Sequence, residues 1–436
     1  MDKLTVALLG GGVVGAQVAR TLLTRADALA ARVGARLELT GVLVRDTTKE
    51  RDGIPAELLT TDAEAVVAGA DIVVELMGGI EPARTHILDA LSSGASVVTA
   101  NKALLAQHFP ELITAADDAG VRIEYEAAVA GAIPIVRPLS VSLAGDRVER
   151  VMGIVNGTTN YILDQMSKEG WDFGTALATA QELGYAEADP TADVEGLDAA
   201  AKAAIIASLA FQVPVAMDDV HVEGIASVSA DMIETAAAQG FTIKLLAICE
   251  RIDGADGAES VSARVYPALI RDDHPLASVS GAFNAVFVEA ENAGSLMFYG
   301  QGAGGAPTSS AIMGDLVSVA RRRVLGGRGQ VAQQVREVGD VLPISRVSTR
   351  YQMTLEVHDR PGVLLRVAEL VAAEGVSIEL VQQTRLEQDE DDAPARAKLV
   401  IATHSAVESA LAATVDSLAA SDAVESVKSV LRIEGA

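Results

Sequence analysis

With 26 arginines and only 8 lysines in 436 residues, each lysine is a pointed choice. A desolvated ammonium can give up its proton, whereas a guanidinium cannot. Two lysines stand where proton transfer or anion stabilisation would be useful. Lys202 closes the stretch Gly184-Tyr185-Ala186-Glu187-Ala188-Asp189-Pro190-Thr191-Ala192-Asp193-Val194-Glu195-Gly196-Leu197-Asp198-Ala199-Ala200-Ala201. Asp198 and Lys202 are four residues apart in a helical run, so they share a face. The plainer reading is an exposed ion pair worth about 0.3–0.5 kcal/mol. The neighbours are almost all Ala, Leu and Ile, which argues against a wholly solvated face. Lys102, with Asn101 before it, follows the strand-like run 97–99. That is the carboxyl end of a sheet strand, where doubly wound folds bind ligands.

A second constellation reads as phosphate chemistry. Gly10-Gly11-Gly12-Val13-Val14-Gly15 follows an apolar β-rich run at 4–9 and precedes helical spacing over 16–23. In such a motif Gly10 permits the turn, Gly12 lets backbone approach a pyrophosphate, and Gly15 admits close helix packing. The spacing alone is a weak signal, and its place between strand and helix is what makes it a dinucleotide site rather than a structural turn. The second strand, 37–44, arrives late after an insertion around 25–35, and then come Arg45 and Asp46. Arg45 could clasp a 2′-phosphate, favouring NADP, while the adjacent acid keeps NAD open. A solvated surface arginine is the bland alternative.

The elements that must hold these groups follow from the pattern. Short apolar runs at 4–9, 37–44, 72–76, 97–99 and 122–126 alternate with Ala-rich helical stretches, which predicts a Rossmann-type α/β domain with a doubly wound parallel sheet. From about 131 the texture changes to an α+β domain with a long Ala-rich helix at 196–211 and strands at 260–266 and 285–290. Residues 321–350 suit a connector. A last unit reads strand 351–357, helix 363–373, strand 376–382, an acidic tip at 387–392, strand 398–403, helix 406–419 and strand 424–433. That β-α-β-β-α-β order is ferredoxin-like. The expected division is 1–130, with 306–325 packing back, then 131–305, a linker at 326–349, and 350–436.

Composition excludes other classes. A formal charge of −26 repels phosphate backbones and anionic membranes, so no nucleic-acid or membrane partner is expected. One cysteine forms no internal disulfide, and no apolar run approaches the ~20 residues of a membrane span, so a cytoplasmic address is expected.

Taken together, 10–15, Ala100-Asn101-Lys102-Ala103-Leu104, the run 126–134, Gly153-Ile154-Val155-Asn156-Gly157-Thr158-Thr159-Asn160-Tyr161, the stretch 184–202 and Gly300-Gln301-Gly302-Ala303-Gly304 resemble the homoserine dehydrogenase family of the long type with a C-terminal ACT domain. The resemblance runs over nearly the whole chain. Ala132 departs from it, standing where a glycine is common. It implies reversible NAD(P)H-dependent reduction of L-aspartate 4-semialdehyde to L-homoserine, in threonine, methionine and isoleucine biosynthesis. Lys202 would be the acid/base, Glu187 would hold the substrate amino group, Asp198 would hold the amino acid and position Lys202, and Lys102 would bridge cofactor and substrate. Val13, Val14 and Gly302 would join the cofactor contacts. Glu126 with the backbone carbonyls of Val129, Gly131 and Ile133 would form a monovalent cation site, for Na⁺. A structural glutamate at a strand end is the competing account of Glu126. The ACT module would sense threonine through its Asp359-Arg360-Pro361-Gly362 turn, or else only pair copies into a homodimer or homotetramer.

Two rivals make different demands. An acyl-enzyme semialdehyde dehydrogenase needs a thiolate, but the sole cysteine, Cys249, lies in the apolar run 245–249 and reads as core. A dinucleotide- and amino-acid-sensing regulator without turnover would bind NADPH and leave it unoxidised.

Overall fold

The structure, a computed structural model, describes residues 2–253, 259–327, 340–386 and 395–435. The acidic tip at 387–392 and the middle of the expected linker, 328–339, lie outside the described residues.

The first domain runs β1 (Lys3–Leu9), α1 (Val13–Thr24), α2 (Ala26–Val33), β2 (Arg36–Leu43), β3 (Leu59–Thr60), α3 (Ala63–Val67), β4 (Ile72–Glu75), α4 (Ala83–Ser92), β5 (Ser96–Thr99), α5 (Lys102–Asp118) and β6 (Ile123–Glu124). Its parallel sheet has the order β3-β2-β1-β4-β5-β6. Chain order reverses between β1 and β4, which opens the crevice where such sheets take ligands. The strands are continuous apolar runs because both faces are covered; Val6 to Leu9 and Ile72 to Val74 are fully buried. The insertion at 25–35 is the extra helix α2, stopped by Gly34 in a left-handed conformation at φ 89°.

The second domain contains β7 (Val148–Ile154), α6 (Gly157–Glu169), α7 (Phe173–Glu182), α8 (Thr191–Val194), α9 (Leu197–Phe211), β8 (His221–Val222), α10 (Ala230–Ala237), β9 (Phe241–Asp253), β10 (Glu259–Arg271), β11 (Phe283–Ala290) and β12 (Gly294–Gln301). Helix α11 (Gly305–Val324) then returns to pack on α1 and α2. The long helix α9 lies against β9 and β10 and is buried nearly all round, because the first domain covers its other side through α5.

The last unit is β13 (Asp340–Val341), β14 (Ser348–Thr349), β15 (Tyr351–His358), α12 (Val363–Ala373), β16 (Ile378–Arg385), β17 (Arg396–Thr403), β18 (Ala406–Val407), α13 (Glu408–Ala419) and β19 (Val424–Glu434). Apart from the short β13, β14 and β18, this is the β-α-β-β-α-β order. One feature departs from a tethered module. Strand β19 pairs in parallel with β10, Ala268 opposite Arg432, so the two sheets join into one with the order β12-β11-β7-β9-β10-β19-β15-β17-β16. The described part of the connector is also strapped down, through β13 on β10 and β14 on β18.

Candidate active site

The glycine turn has the geometry that phosphate binding demands. Gly10 has φ 110°, and a Cβ there would lie 2.6 Å from the Leu76 carbonyl oxygen. A Cβ on Gly15 would lie 2.1 Å from the Gly10 oxygen, so the helix starts only because both are glycine. Around Gly12 a Cβ would meet nothing within 4 Å, which leaves open backbone at the start of α1, where Val13 and Val14 begin the helix. The Gly10 amide donates to Leu43 at 3.0 Å, bringing Arg45, two residues past β2, beside the turn. Arg45 is exposed and forms no ion pair among the described residues. Asp46 is otherwise engaged: its carboxylate accepts from the Thr48 amide at 2.9 Å and the Thr48 hydroxyl at 2.6 Å.

Beside this turn lies a cleft of about 1020 Å³ that gathers Val14, Lys102, Gly131, Glu187, Asp198, Lys202 and Gly302. Lys102 reaches it because Asn101 caps α5, accepting from the Leu104 amide at 3.2 Å. Asp198 sits in the first turn of α9, and Lys202 lies one turn on. Both are buried, so the pair is not a solvated helix face. Lys202 donates to Asp198 Oδ2 at 2.7 Å and to the Val155 carbonyl at 2.6 Å. Lys102, half exposed at the mouth, pairs with Asp198 Oδ1. Burial lowers the Lys202 ammonium to about 8; burial, and then the Lys202 charge, lower Lys102 to about 8. Both therefore exchange protons near neutrality. Two of the three Lys202 protons are committed, which leaves one for a ligand in the cleft. Glu187 lies exposed on the cleft wall.

Several contributors were missing from the sequence reading. Asn156 caps α6 and donates to Asp193 at 2.6 Å and to Asp198 Oδ2 at 2.9 Å, so it fixes the Asp198 rotamer. Glu75, fully buried at the end of β4, accepts from Thr99 at 2.6 Å and from the Met77 amide at 2.7 Å, and so shapes the loop under the glycine turn. A charged residue closing an otherwise apolar strand was the available signal. Asn284 is 1% exposed and its Oδ1 has no partner among the described residues, although it borders the cleft beside Gly302. A Cβ on Gly302 would fall 2.0 Å from its amide nitrogen.

Glu126 occupies a different position from a free ligand. Its carboxylate accepts from the Val136 amide at 2.7 Å and the Arg137 amide at 3.0 Å, with the Arg137 guanidinium 3.3 Å away. The buried residues Val129, Gly131 and Ile133 differ: their carbonyls accept no hydrogen bond among the described residues. Orphaned carbonyls of this kind suit a hard cation. Ala132, where a glycine is common, donates its amide to Gln301 at 3.1 Å. No cluster of three or more His, Cys, Asp or Glu fit for a metal occurs among the described residues. Cys249 is fully buried in β9, and burial pushes its thiol up to about 12, so no thiolate faces the cleft.

Comparison with known proteins matches this geometry. Residues 10–126 match the family model for the homoserine dehydrogenase NAD-binding domain, 134–317 that for homoserine dehydrogenase, and 351–421 that for the ACT domain. The chain belongs to the homoserine dehydrogenase family. It is 57% identical over 432 residues to the homoserine dehydrogenase of Mycobacterium tuberculosis, covering 99% of this chain and 97% of that protein. The crystal structure of a homoserine dehydrogenase from Thiobacillus denitrificans superposes with a TM-score of 0.90 at 36% identity, covering 100% of this chain and 99% of that one. A hyperthermophilic archaeal homoserine dehydrogenase mutant in complex with NADPH matches with a TM-score of 0.61 at 26% identity, over 73% of this chain and 97% of that one. Homoserine dehydrogenase is an NAD(P)-dependent oxidoreductase acting on a CH–OH group, so the reading as a regulator without turnover is set aside. No helix among the described residues is long and apolar enough to cross a membrane.

Proposed function

We propose that the chain interconverts L-aspartate 4-semialdehyde and L-homoserine in the cytoplasm, on the path to threonine, methionine and isoleucine, with NADP(H) as the preferred nucleotide. The observation that carries this reading is the Lys102–Asp198–Lys202 arrangement facing the glycine turn across one cleft. When bound, the nicotinamide supplies or takes the hydride at the substrate carbon. Lys202 presents its uncommitted N–H to the aldehyde oxygen, stabilises the alkoxide that forms and gives it the proton. In the reverse direction neutral Lys202 removes the hydroxyl proton. Asp198 and Asn156 hold Lys202 at that task, Lys102 screens the developing charge from the cofactor side, and exposed Glu187 takes the substrate ammonium. The division into catalytic and regulatory parts at about 350 belongs to the same proposal.

Nucleotide choice rests on Arg45. Its guanidinium meets no carboxylate among the described residues, whereas Asp46 is committed to Thr48, so a 2′-phosphate meets a donor rather than an acid. Arg45→Ser is expected to raise KM for NADPH far more than for NADH, read from steady-state kinetics with both nucleotides. Equal changes would remove Arg45 as the discriminator. For the monovalent cation, taken as Na⁺, the carbonyls of Val129, Gly131 and Ile133 are the proposed ligands. Glu126 would add its own carbonyl, which receives a long 3.4 Å bond from the Val129 amide.

The ACT module is proposed to bind threonine at the 359–362 turn. Gly362 caps α12 at φ 92°, and no side chain among the described residues caps that helix; the Val363 amide makes only a long 3.4 Å bond to the Arg360 carbonyl, so this helix start can offer amides to an amino-acid carboxylate. Exposed Leu380 and Val381 on edge strand β16, and Met297 and Tyr299 on edge strand β12, support a homodimer or homotetramer. Threonine at millimolar concentration is expected to inhibit the full chain. An insensitive full chain would leave the module a pairing device only.

A further inference from the structure

We infer that Glu223 and Gly224 are positioning residues for Asp193 and Asp198, and that Arg432, from the C-terminal module, holds them in place. This rests on the proposed role of Asp198 and Lys202 in the cleft.

The loop that delivers Asp198 is short: α8 ends at Val194, then Glu195 and Gly196 lead into α9. It is braced by the segment that follows β8. The Ile225 amide donates to the Val194 carbonyl at 2.8 Å. A Cβ on Gly224 would stand 2.3 Å from that same carbonyl oxygen and 2.6 Å from Glu195 Cα. From the other side, a Cβ on Gly196, which has φ 80°, would lie 3.1 Å from the Val222 side chain and 3.4 Å from the Glu223 oxygen. The two backbones interlock with no slack, so a shift of 222–225 displaces the loop carrying Asp193 and Asp198.

What sets 222–225 comes from two directions. The Glu223 amide donates to Val265 of β10 at 2.8 Å, and the Glu223 carboxylate receives His221 at 2.7 Å and Arg432 at 2.8 Å. Arg432 is itself fixed by α13 of the C-terminal module and by a ring on β10. It pairs with Glu408 at the first position of α13 at 2.5 Å and stacks over the Tyr266 ring at 4.4 Å. Glu408 also accepts from the Tyr351 hydroxyl at 2.9 Å. Along the same strand, Tyr266 donates to Glu434 at 2.5 Å, and β10 pairs with β19 through Ala268 and Arg432. The side chains of Arg432 and Glu408 are 12% and 5% exposed, so water cannot replace that pair cheaply, and it presents the guanidinium to the more exposed Glu223 carboxylate. A movement of α13 relative to β19 therefore arrives, through one guanidinium, at the brace under Asp198. This gives the module a physical route to the cleft without touching either lysine.

The test compares full-length E223Q and R432K with the wild type. E223Q keeps the shape and removes the charge that Arg432 holds; R432K keeps the charge and loses the fork that spans Glu223 and Glu408. Expected for E223Q is a rise in KM for homoserine on the order of tenfold, with KM for NADP within about twofold of wild type and an unchanged melting temperature. R432K should fall between the two. Wild-type KM for homoserine in both variants overturns the inference, and so does a parallel rise of both KM values with a lower melting temperature, which marks a merely structural joint. A wild type that fails to oxidise homoserine overturns the proposed reaction instead, and the two failures are thus told apart.

Discussion

Lys202→Ala is expected to lower kcat by about 10²- to 10⁴-fold in both directions while leaving the NADPH dissociation constant nearly unchanged. The loss follows from the position of the side chain. Lys202 is buried, two of its protons are fixed by Val155 and Asp198, and the remaining one faces the cleft. Among the described residues, no hydrogen bond or ion pair of Lys202 reaches the glycine turn or Arg45. The pH dependence gives a second reading of the same group. With the ammonium lowered to about 8 by burial, the proton donor required for reduction is lost as pH rises through about 8. The base required for homoserine oxidation appears over the same interval. Reduction should therefore fall and oxidation rise through that range in the wild type, and this opposed pair of limbs should vanish in the alanine variant. Lys102 titrates nearby, so the limbs belong to the pair. Retention of wild-type kcat would remove Lys202 from the chemistry.

Asp198→Asn is expected to be nearly as damaging, and differently. Its carboxylate is the common partner of Lys102, Lys202 and Asn156. Without it, two ammonium groups face each other around a neutral amide and Lys202 loses its one carboxylate hydrogen bond. Loss of an opposite charge disfavours the protonated lysine, so the reductive direction at pH 7 should suffer more than the oxidative one. A fall of about 10²-fold in kcat for reduction is expected, because misplacing an acid by one ångström already costs that much. Breaking a buried pair by removing one partner also destabilises, so the melting temperature should drop. Equal loss in both directions with unchanged melting would mean that Asp198 positions substrate and leaves Lys202 alone.

The sequence disclosed much of this because the informative residues obeyed local rules. The glycine turn lies between a strand and a helix; Gly10 and Gly15 leave no room for a Cβ, while the backbone at Gly12 stands open. Asp198 and Lys202 met because helical periodicity is strict over one turn. What stayed hidden depends on long-range register. Asn156 reaches Asp198 across 42 residues, and Asn284 comes against Gly302 by strand pairing, so neither spacing betrays them. The union of β10 with β19 was equally invisible, since an alternating strand carries no mark of which edge it will meet. For Glu126, sequence left a ligand and a structural role open. The Val136 and Arg137 amides claim its carboxylate, because the chain turns into a helix at that point.

The most direct measurement is the crystal structure of the ternary complex with NADP and homoserine. The homoserine hydroxyl oxygen is expected within about 3 Å of Lys202 Nζ, the substrate carboxylate and ammonium near Lys102 and Glu187, and Asp198 still bonded to Lys202. A hydroxyl bound to another group, with Lys202 Nζ beyond hydrogen-bond reach of it, would contradict the assignment of Lys202 as the acid and base.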